Sequence, residues 1–410
     1  MASVIMLDFL SILSYTFGMQ EILYQYNPWW ETPFSVEQLQ SRDRYLNQLK
    51  RQLGTKQIQF VIGLRRVGKT TLLKLLIHTL IGDGVDPHHI LYVSLDDYLL
   101  RNNSIIEIVN AYRKAHKLKF EEKIYLFFDE VTSKEGFHLQ LKNLYDNHNC
   151  KLFASSSSTS LLRDKKAMLT GRATTLELKP LDLDEYLQFK GIEIKKRDSQ
   201  LYEPYFKEYI REGGMPENIL DPSRDYLMTL VDDIIQKDII ALHGIRKPQV
   251  IRDYFVLLME RSGKQISLNK ISNILKISTD TASRYMGYFE ETFLIHLLPR
   301  WGKTNTKIMS PKKIYASDLG FKYLVVGERD MGSYFENYVY LKLRSSKQLY
   351  YVQEQGTEID FYTDDQVLVE SKYYSKMNRK QAALFAKFPA REKLLIDSIE
   401  NIHLLDGVQG

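Results

Sequence analysis

The chain has 410 residues, 44% hydrophobic and 26% charged, which excludes a disordered or collagen-like polymer and provides core for about two to four domains. One cysteine, Cys150, excludes a disulfide scaffold and a cysteine-based zinc cluster and suits a reducing compartment. Lys and Arg number 56 against 51 Asp and Glu; the net charge of +5 is compatible with nucleic acid as a partner but does not require it.

In chain order, Val4–Met19 is mostly apolar but carries Asp8, Ser11, Ser14 and Thr16. It is short and polar for a bilayer span, no cation precedes it, and no small-residue cleavage site follows it. It is expected to be a helix packed on the body of a cytoplasmic protein, with no stable membrane insertion. From Ile58 a strand–helix alternation begins. Strands are predicted at 58–62, 90–95, 124–128, 152–154 and 174–178, with helices at 70–81, 105–116 and 138–146 between them. The run Ile124–Phe128 is apolar throughout, as a strand buried on both faces requires. This order implies a parallel α/β sheet.

Beyond Pro180 the pattern turns helical, at 183–190, 201–212 and 226–240. Ser267–Leu275 then reads as a capped helix and Lys276-Ile-Ser278 as a turn. Thr279–Thr292 reads as a second helix, with strands at 293–298 and 312–315 as a wing. A last helix at 334–343 precedes strands at 350–352, 359–362 and 367–370. The expected segments are an N-terminal helical piece (1–45), the α/β core (46–180), a helical lid (181–245), a winged helix-turn-helix (246–312) and a small α/β domain (313–410).

Gly63-Leu64-Arg65-Arg66-Val67-Gly68-Lys69-Thr70 fits G-x-x-x-x-G-K-[ST], directly after a strand and directly before a helix. Glycines at the first and sixth positions let the backbone bend round a phosphate, and the loop N–H groups form an anion nest at a helix N-terminus. Lys69 can reach β and γ phosphates, Thr70 can ligate Mg²⁺, and Thr71 continues the same turn. Independently, the buried strand 124–128 runs into Asp129-Glu130. Asp129 would hold Mg²⁺ through water and Glu130 would polarise the attacking water. No Asn-Lys-x-Asp appears, so ATP is expected rather than GTP. The next strand ends in Ser155-Ser-Ser-Ser158, of which Ser155 is the candidate phosphate sensor. Arg172 is the candidate charge-stabilising arginine, with Arg65 and Arg66 as rivals; acting across an interface, Arg172 would require a homo-oligomer.

Taken together, the phosphate loop, Phe127-Phe-Asp-Glu130, Leu141-Lys-Asn-Leu-Tyr-Asp146, Leu169-Thr-Gly-Arg-Ala173 and Gly213-Gly-Met-Pro-Glu217 resemble a family of archaeal and bacterial AAA-type, STAND-like P-loop ATPases. Asn27-Pro-Trp-Trp30 is similar to that family's N-terminal segment. The resemblance implies a P-loop NTPase sheet with a helical lid, then a winged helix and a small restriction-endonuclease-like α/β domain. It also implies that Gly214-Met215-Pro216 lies against the nucleotide. Two positions depart from the family: Thr132 stands where Gln is usual, and Ser156 where Gly is frequent. Both put fast hydrolysis in doubt more than binding.

Between Arg261 and Lys313 there are ten basic residues and three acidic ones, a local +7 that exceeds the charge of the whole chain. Such a concentration favours DNA phosphates, with Lys303 and Lys307 in the wing; the alternative is a winged helix that holds a protein partner. Asp360, then nine residues, then Glu370-Ser-Lys372 has the spacing of a PD-(D/E)xK nuclease. On a hairpin, Asp360 and Glu370 would share a second Mg²⁺ or Mn²⁺ with Glu336 of the preceding helix, and Lys372 would orient the water. The alternative is a domain of that fold that does not cut.

Overall fold

In a computed structural model, which describes residues 18–159, 169–344 and 347–408, the chain divides between Leu178 and Lys179 into two units. The segment expected as an N-terminal packed helix lies almost wholly outside the described residues. Among those described, no helix is long and apolar enough to cross a membrane.

The first unit is built on five parallel strands: β1 (Ile58–Ile62), β2 (Ile90–Ser94), β3 (Ile124–Asp129), β4 (Cys150–Ser156) and β5 (Ala173–Glu177), in the order β2-β3-β4-β1-β5. β1, β3 and β4 occupy the middle, which is why their sequences are apolar on both faces. Phe127 and Phe153 stack across the β3–β4 pair at 4.8 Å. The helices are α1 (Met19–Tyr26), α2 (Asp43–Gln52), α3 (Lys69–Gly82), α4 (Ile105–His116) and α5 (Phe137–Asn147).

β2 lies at one edge of the sheet, where unpaired backbone groups need partners. The Asn27-Pro-Trp-Trp30 segment supplies them. Asn27, fully buried, donates to Tyr92 O (2.9 Å) and accepts from Tyr92 N–H (2.7 Å), and the Trp30 indole donates to Ile90 O (2.9 Å). Trp30 also stacks on Tyr112 of α4. The motif therefore works as a side-chain cap on a sheet edge.

The second unit opens with α6 (Leu183–Phe189), α7 (Tyr202–Glu212), α8 (Pro216–Leu220) and α9 (Arg224–Asp233), which runs on as a π-helical stretch, Ile234–Ala241. Next come α10 (Pro248–Glu260), α11 (Leu268–Leu275), α12 (Thr279–Glu291) and the antiparallel pair β6 (Ile295–Leu298) and β7 (Lys313–Ala316). Ser267 and Ser278 cap α11 and α12 through their hydroxyls. Gln265 makes an isolated antiparallel bridge to Lys313 of β7. The connection between β6 and β7 is not an open loop but contains a helix, α13 (Thr304–Met309).

After α14 (Leu319–Val326) and α15 (Met331–Leu343) comes a mixed sheet of β8 (Leu349–Glu354), β9 (Thr357–Thr363), β10 (Val367–Ser371) and β11 (Glu392–Ile396), ordered β11-β10-β9-β8. α16 (Arg379–Lys387) carries the chain from β10 to its parallel neighbour β11. α14, α16 and β11 had no counterpart in the sequence reading. One buried cluster takes Tyr186 and Phe206 from the helices, Leu298 and Tyr315 from β6 and β7, and Tyr338, Phe361 and Ile396 from the C-terminal part. The boundary expected between 312 and 313 lies immediately before β7, which is bonded to β6.

Candidate functional site

Gly63 leaves β1 at φ 149°, and a Cβ there would collide with the carbonyl oxygen of Leu178, so no other residue fits. Leu64 and Val67 are buried beneath the loop and anchor it, while Arg66 is exposed. Gly68 immediately precedes α3, so the first N–H groups of that helix face the loop's hollow. Lys69 is buried; its ammonium donates to Gly63 O (3.0 Å) and Leu64 O (3.1 Å) and lies 3.7 Å from Glu130. The loop thus holds its cation over the space where a phosphate would sit.

Thr70 donates its hydroxyl to Asp129 Oδ2, so the two expected Mg²⁺ ligands meet at one point. Asp129 also accepts from Tyr92 (2.8 Å) and from Ser155. Burial beside Asp129 pushes the Tyr92 phenol well above its ordinary range, so it stays a donor. This donor set fits a hydrated Mg²⁺ held by Thr70 Oγ1 and Asp129. Glu130 adopts a left-handed backbone, φ 47°, which turns its side chain away from the strand direction. Its carboxylate accepts from Ser157 N–H and Oγ, both at 3.1 Å, and is one-quarter exposed.

The sequence reading gave Ser155 a phosphate-sensing role. Its hydroxyl is instead engaged by Asp129 and by the N–H of Glu130 (2.9 Å), which positions the acidic pair. Ser157 belongs to the serine run expected near the γ-phosphate, whereas Tyr92 was missed, since only the sheet order brings it to this point. The two departures from the family, Thr132 and Ser156, face each other with hydroxyls 3.1 Å apart. Each is thus the other's hydrogen-bond partner.

Arg172 is not brought to this site. It lies just before β5, its carbonyl accepts from Ile58 N–H at the start of β1, and its guanidinium pairs with Asp146 (3.1 Å). Parallel strands put that point at the end of the sheet opposite the phosphate loop, so within one chain Arg172 does not serve the phosphates. Pro216 belongs to the second unit, where it opens α8. The glycines before it are fixed locally: Gly214 N–H donates to the buried Asp318 carboxylate (2.6 Å), and a Cβ on Gly213 would strike the same group. Burial raises the Asp318 carboxyl to about 6, against backbone hydrogen bonds that lower it.

On the C-terminal hairpin, Asp360 and Glu370 are neighbours as expected: Asp360 N–H donates to Glu370 Oε2 at 3.0 Å. What lies among the carboxylates is an ammonium. Lys313 Nζ, 1% exposed, is 2.6 Å from Glu336, 2.8 Å from Glu358 and 3.3 Å from Asp360. Those three carboxylates hold the Lys313 pKa well above the usual lysine range against the opposing effect of burial. The other Asp360 oxygen accepts from Ser371 N–H (3.1 Å) and Oγ (2.7 Å). Glu370 is paired with Lys372 at 2.5 Å and accepts from Gln381 (3.3 Å). Among the described residues no set of three or more His, Cys, Asp or Glu side chains is arranged to hold a metal. The expected second Mg²⁺ or Mn²⁺ does not fit this arrangement, because the Lys313 ammonium sits between Glu336 and Asp360 while Glu370 is paired with Lys372. The sequence signal was a single lysine heading the apolar strand Lys313-Ile-Tyr-Ala316, whose partners only the tertiary fold reveals.

Lys307, expected in an open wing, lies over the rings of Tyr350 (4.1 Å) and Trp301 (4.8 Å). It is therefore engaged with aromatic faces of its own chain.

The phosphate loop and the acidic strand end define a P-loop nucleotide-binding unit, and residues 55–187 match the family described as AAA domain. This portion of the chain is a P-loop ATPase domain of the AAA class. Residues 203–331 match a domain of unknown function (DUF8612). The chain is 28% identical over 362 residues to the uncharacterized protein MJ1544 of Methanocaldococcus jannaschii, covering 83% of this chain and 80% of that one. An uncharacterized protein of Haemophilus influenzae is 24% identical over 397 residues, covering 89% and 98%. Among solved structures, AMPPCP-bound DnaA from Aquifex aeolicus aligns with 63% of this chain and 90% of its own at 17% identity and a TM-score of 0.28. The extended S. cerevisiae Hsp104:casein complex aligns with 63% and 50% at 17% identity and a TM-score of 0.32. Likenesses this slight carry no weight for the fold.

Proposed function

We propose that this chain hydrolyses ATP at the loop 63–71 with Mg²⁺ and uses the nucleotide state to govern nucleic-acid contact by its winged-helix segment. The observation that carries the first part is the convergence of Lys69, Thr70, Asp129 and Glu130 at one end of the sheet. Lys69 exchanges its loop carbonyls for β and γ phosphate oxygens. Thr70 and Asp129 hold Mg²⁺, which neutralises phosphate charge when bound. Glu130, set by the two Ser157 donors, accepts a proton from the attacking water. Glu130→Gln keeps the metal pair intact, so it should retain ATP binding and lose turnover; turnover at the parent rate would refute the assignment.

For the C-terminal part, the ammonium of Lys313 within 3.3 Å of three carboxylates favours a nuclease-like fold that does not cut. In this reading the domain supports the winged helix or a protein partner. Mg²⁺- or Mn²⁺-dependent cleavage of DNA that disappears in both Asp360→Ala and Lys372→Ala would overturn it.

A further inference from the structure

Basic and acidic residues nearly balance across the second unit but are not spread evenly. Where the π-helical stretch 234–241 ends, His243-Gly-Ile-Arg-Lys247 turns the chain into α10. This turn faces α12, the second helix of the helix-turn-helix, and between them lies a cavity of about 420 Å³. That is a volume suited to a small organic ligand or one nucleotide unit. Its wall carries Arg246, Lys247 and Arg284 and no carboxylate. None of these three cations makes an ion pair among the described residues, and all three are exposed. The other wall is aromatic. His243 lies flat on Tyr288, ring centroids 3.6 Å apart and planes 8° from parallel, with Tyr285 beside them at 6.0 Å from Tyr288. All three rings are half-buried. Burial and Arg284 lower the His243 pKa, so the imidazole is neutral near pH 7 and adds ring surface rather than charge. Lys247 and Val250, at the N-terminus of the 13-residue α10, also line the cavity, so the positive end of that helix adds to the field.

Three cations with no carboxylate beside them, of which Arg284 lies over the Tyr285 ring at 5.8 Å, would repel one another unless an anion joins them, and rings half-open to solvent offer apolar surface that a base can cover. Phosphate alone would use the cations and leave the rings; a duplex would offer phosphates but no free base face. A single strand uses both. We propose that the cleft formed by His243, Arg246, Lys247, Arg284, Tyr285 and Tyr288 binds single-stranded nucleic acid, its cations meeting the phosphates and its rings stacking an unpaired base. The assignment rests on the reading of the winged-helix segment as a nucleic-acid contact and moves that contact from the wing to this cleft.

The test is fluorescence anisotropy of the full chain with labelled 12-mers of deoxythymidine and of uridine and a 12-base-pair duplex, across a salt series. The cleft predicts that both single strands bind more tightly than the duplex. Arg246→Ala/Lys247→Ala/Arg284→Ala should weaken them at least 100-fold and flatten the salt slope by about 2, given about 0.7 per phosphate on a single strand. Tyr288→Ala should cost about 5- to 100-fold, Tyr288→Phe should restore binding, and the salt slope of both should match the parent. The restoration by Phe separates stacking from mere loss of fold. Single strands that bind normally to the triple variant would overturn the cleft and leave nucleic-acid contact elsewhere. A duplex bound as tightly as the single strands, with Tyr288→Ala neutral, would overturn the unpaired-base assignment. No binding of any 12-mer by the parent would overturn both the cleft and the reading beneath it.

Discussion

Replacing Lys313 by Met would keep its stem in the core and delete the charge that three carboxylates surround. Lys313 is 1% exposed, and the side chains of Asp360 and Glu336 are only 10% and 18% exposed. Removing one member of a buried charge network costs about 3–5 kcal/mol, because the remaining charges stay in place without compensation. Glu358, at 27% exposure, can be reached by water, which sets the expected loss near the lower end, about 3 kcal/mol. The natural assay is hydrogen exchange read by mass spectrometry over β9 and β10, where that loss is about a hundredfold faster exchange if opening is limiting by population. Millimolar Mn²⁺ should restore part of the protection in the variant and none in the parent, since only the variant offers the carboxylates to a cation. Lowering the pH to 5 should also narrow the difference, because burial raises the Glu336 carboxyl to about 7 and its protonation removes one of the crowded negative charges. Parent-like exchange in Lys313→Met, with no response to Mn²⁺, would show that the ammonium does not hold this cluster together.

Lys69→Ala removes the point charge at the phosphate loop and should abolish ATP binding in calorimetry; retained affinity would refute the role given to that lysine. Asn27→Ala strips the cap from Tyr92 at the edge of β2 and should cost the first unit about 1–3 kcal/mol, seen as faster exchange in β2. An effect no larger than that of the exposed Thr32→Ala would count against the capping role. Asp318 has its folded carboxyl raised to about 6, so the folded unit binds that proton more tightly than the unfolded chain. The resulting stability is fully present below pH about 4 and lost as pH rises through about 6, at most about 3 kcal/mol in all. Asp318→Asn should flatten this part of the pH profile of urea unfolding; an unchanged slope would mean that Asp318 does not titrate in this range.

The sequence by itself determined the elements and the nucleotide motifs. Apolar runs and the strand–helix alternation located the five described strands of the first unit to within a few residues; β1 to β4 are buried and so admit mainly apolar side chains, whereas the edge strand β5 is only half-buried. The phosphate loop and Asp129-Glu130 were equally legible, since their chemistry depends on residues adjacent in the chain. The tertiary structure decided what depends on sheet order and on residues far apart in sequence. Tyr92 and Ser157 reach the acidic pair only because β2 and β4 flank β3. Asn27 caps a strand 65 residues away. Arg172 is turned from the phosphates by the parallel direction of β5 and β1. Lys313 illustrates the limit best: the spacing of Asp360, Glu370 and Lys372 is a one-dimensional fact, and it predicts a metal. The cation in the cluster comes from a strand 47 residues earlier in the chain, and nothing in local pattern says that a buried lysine will find three carboxylates there.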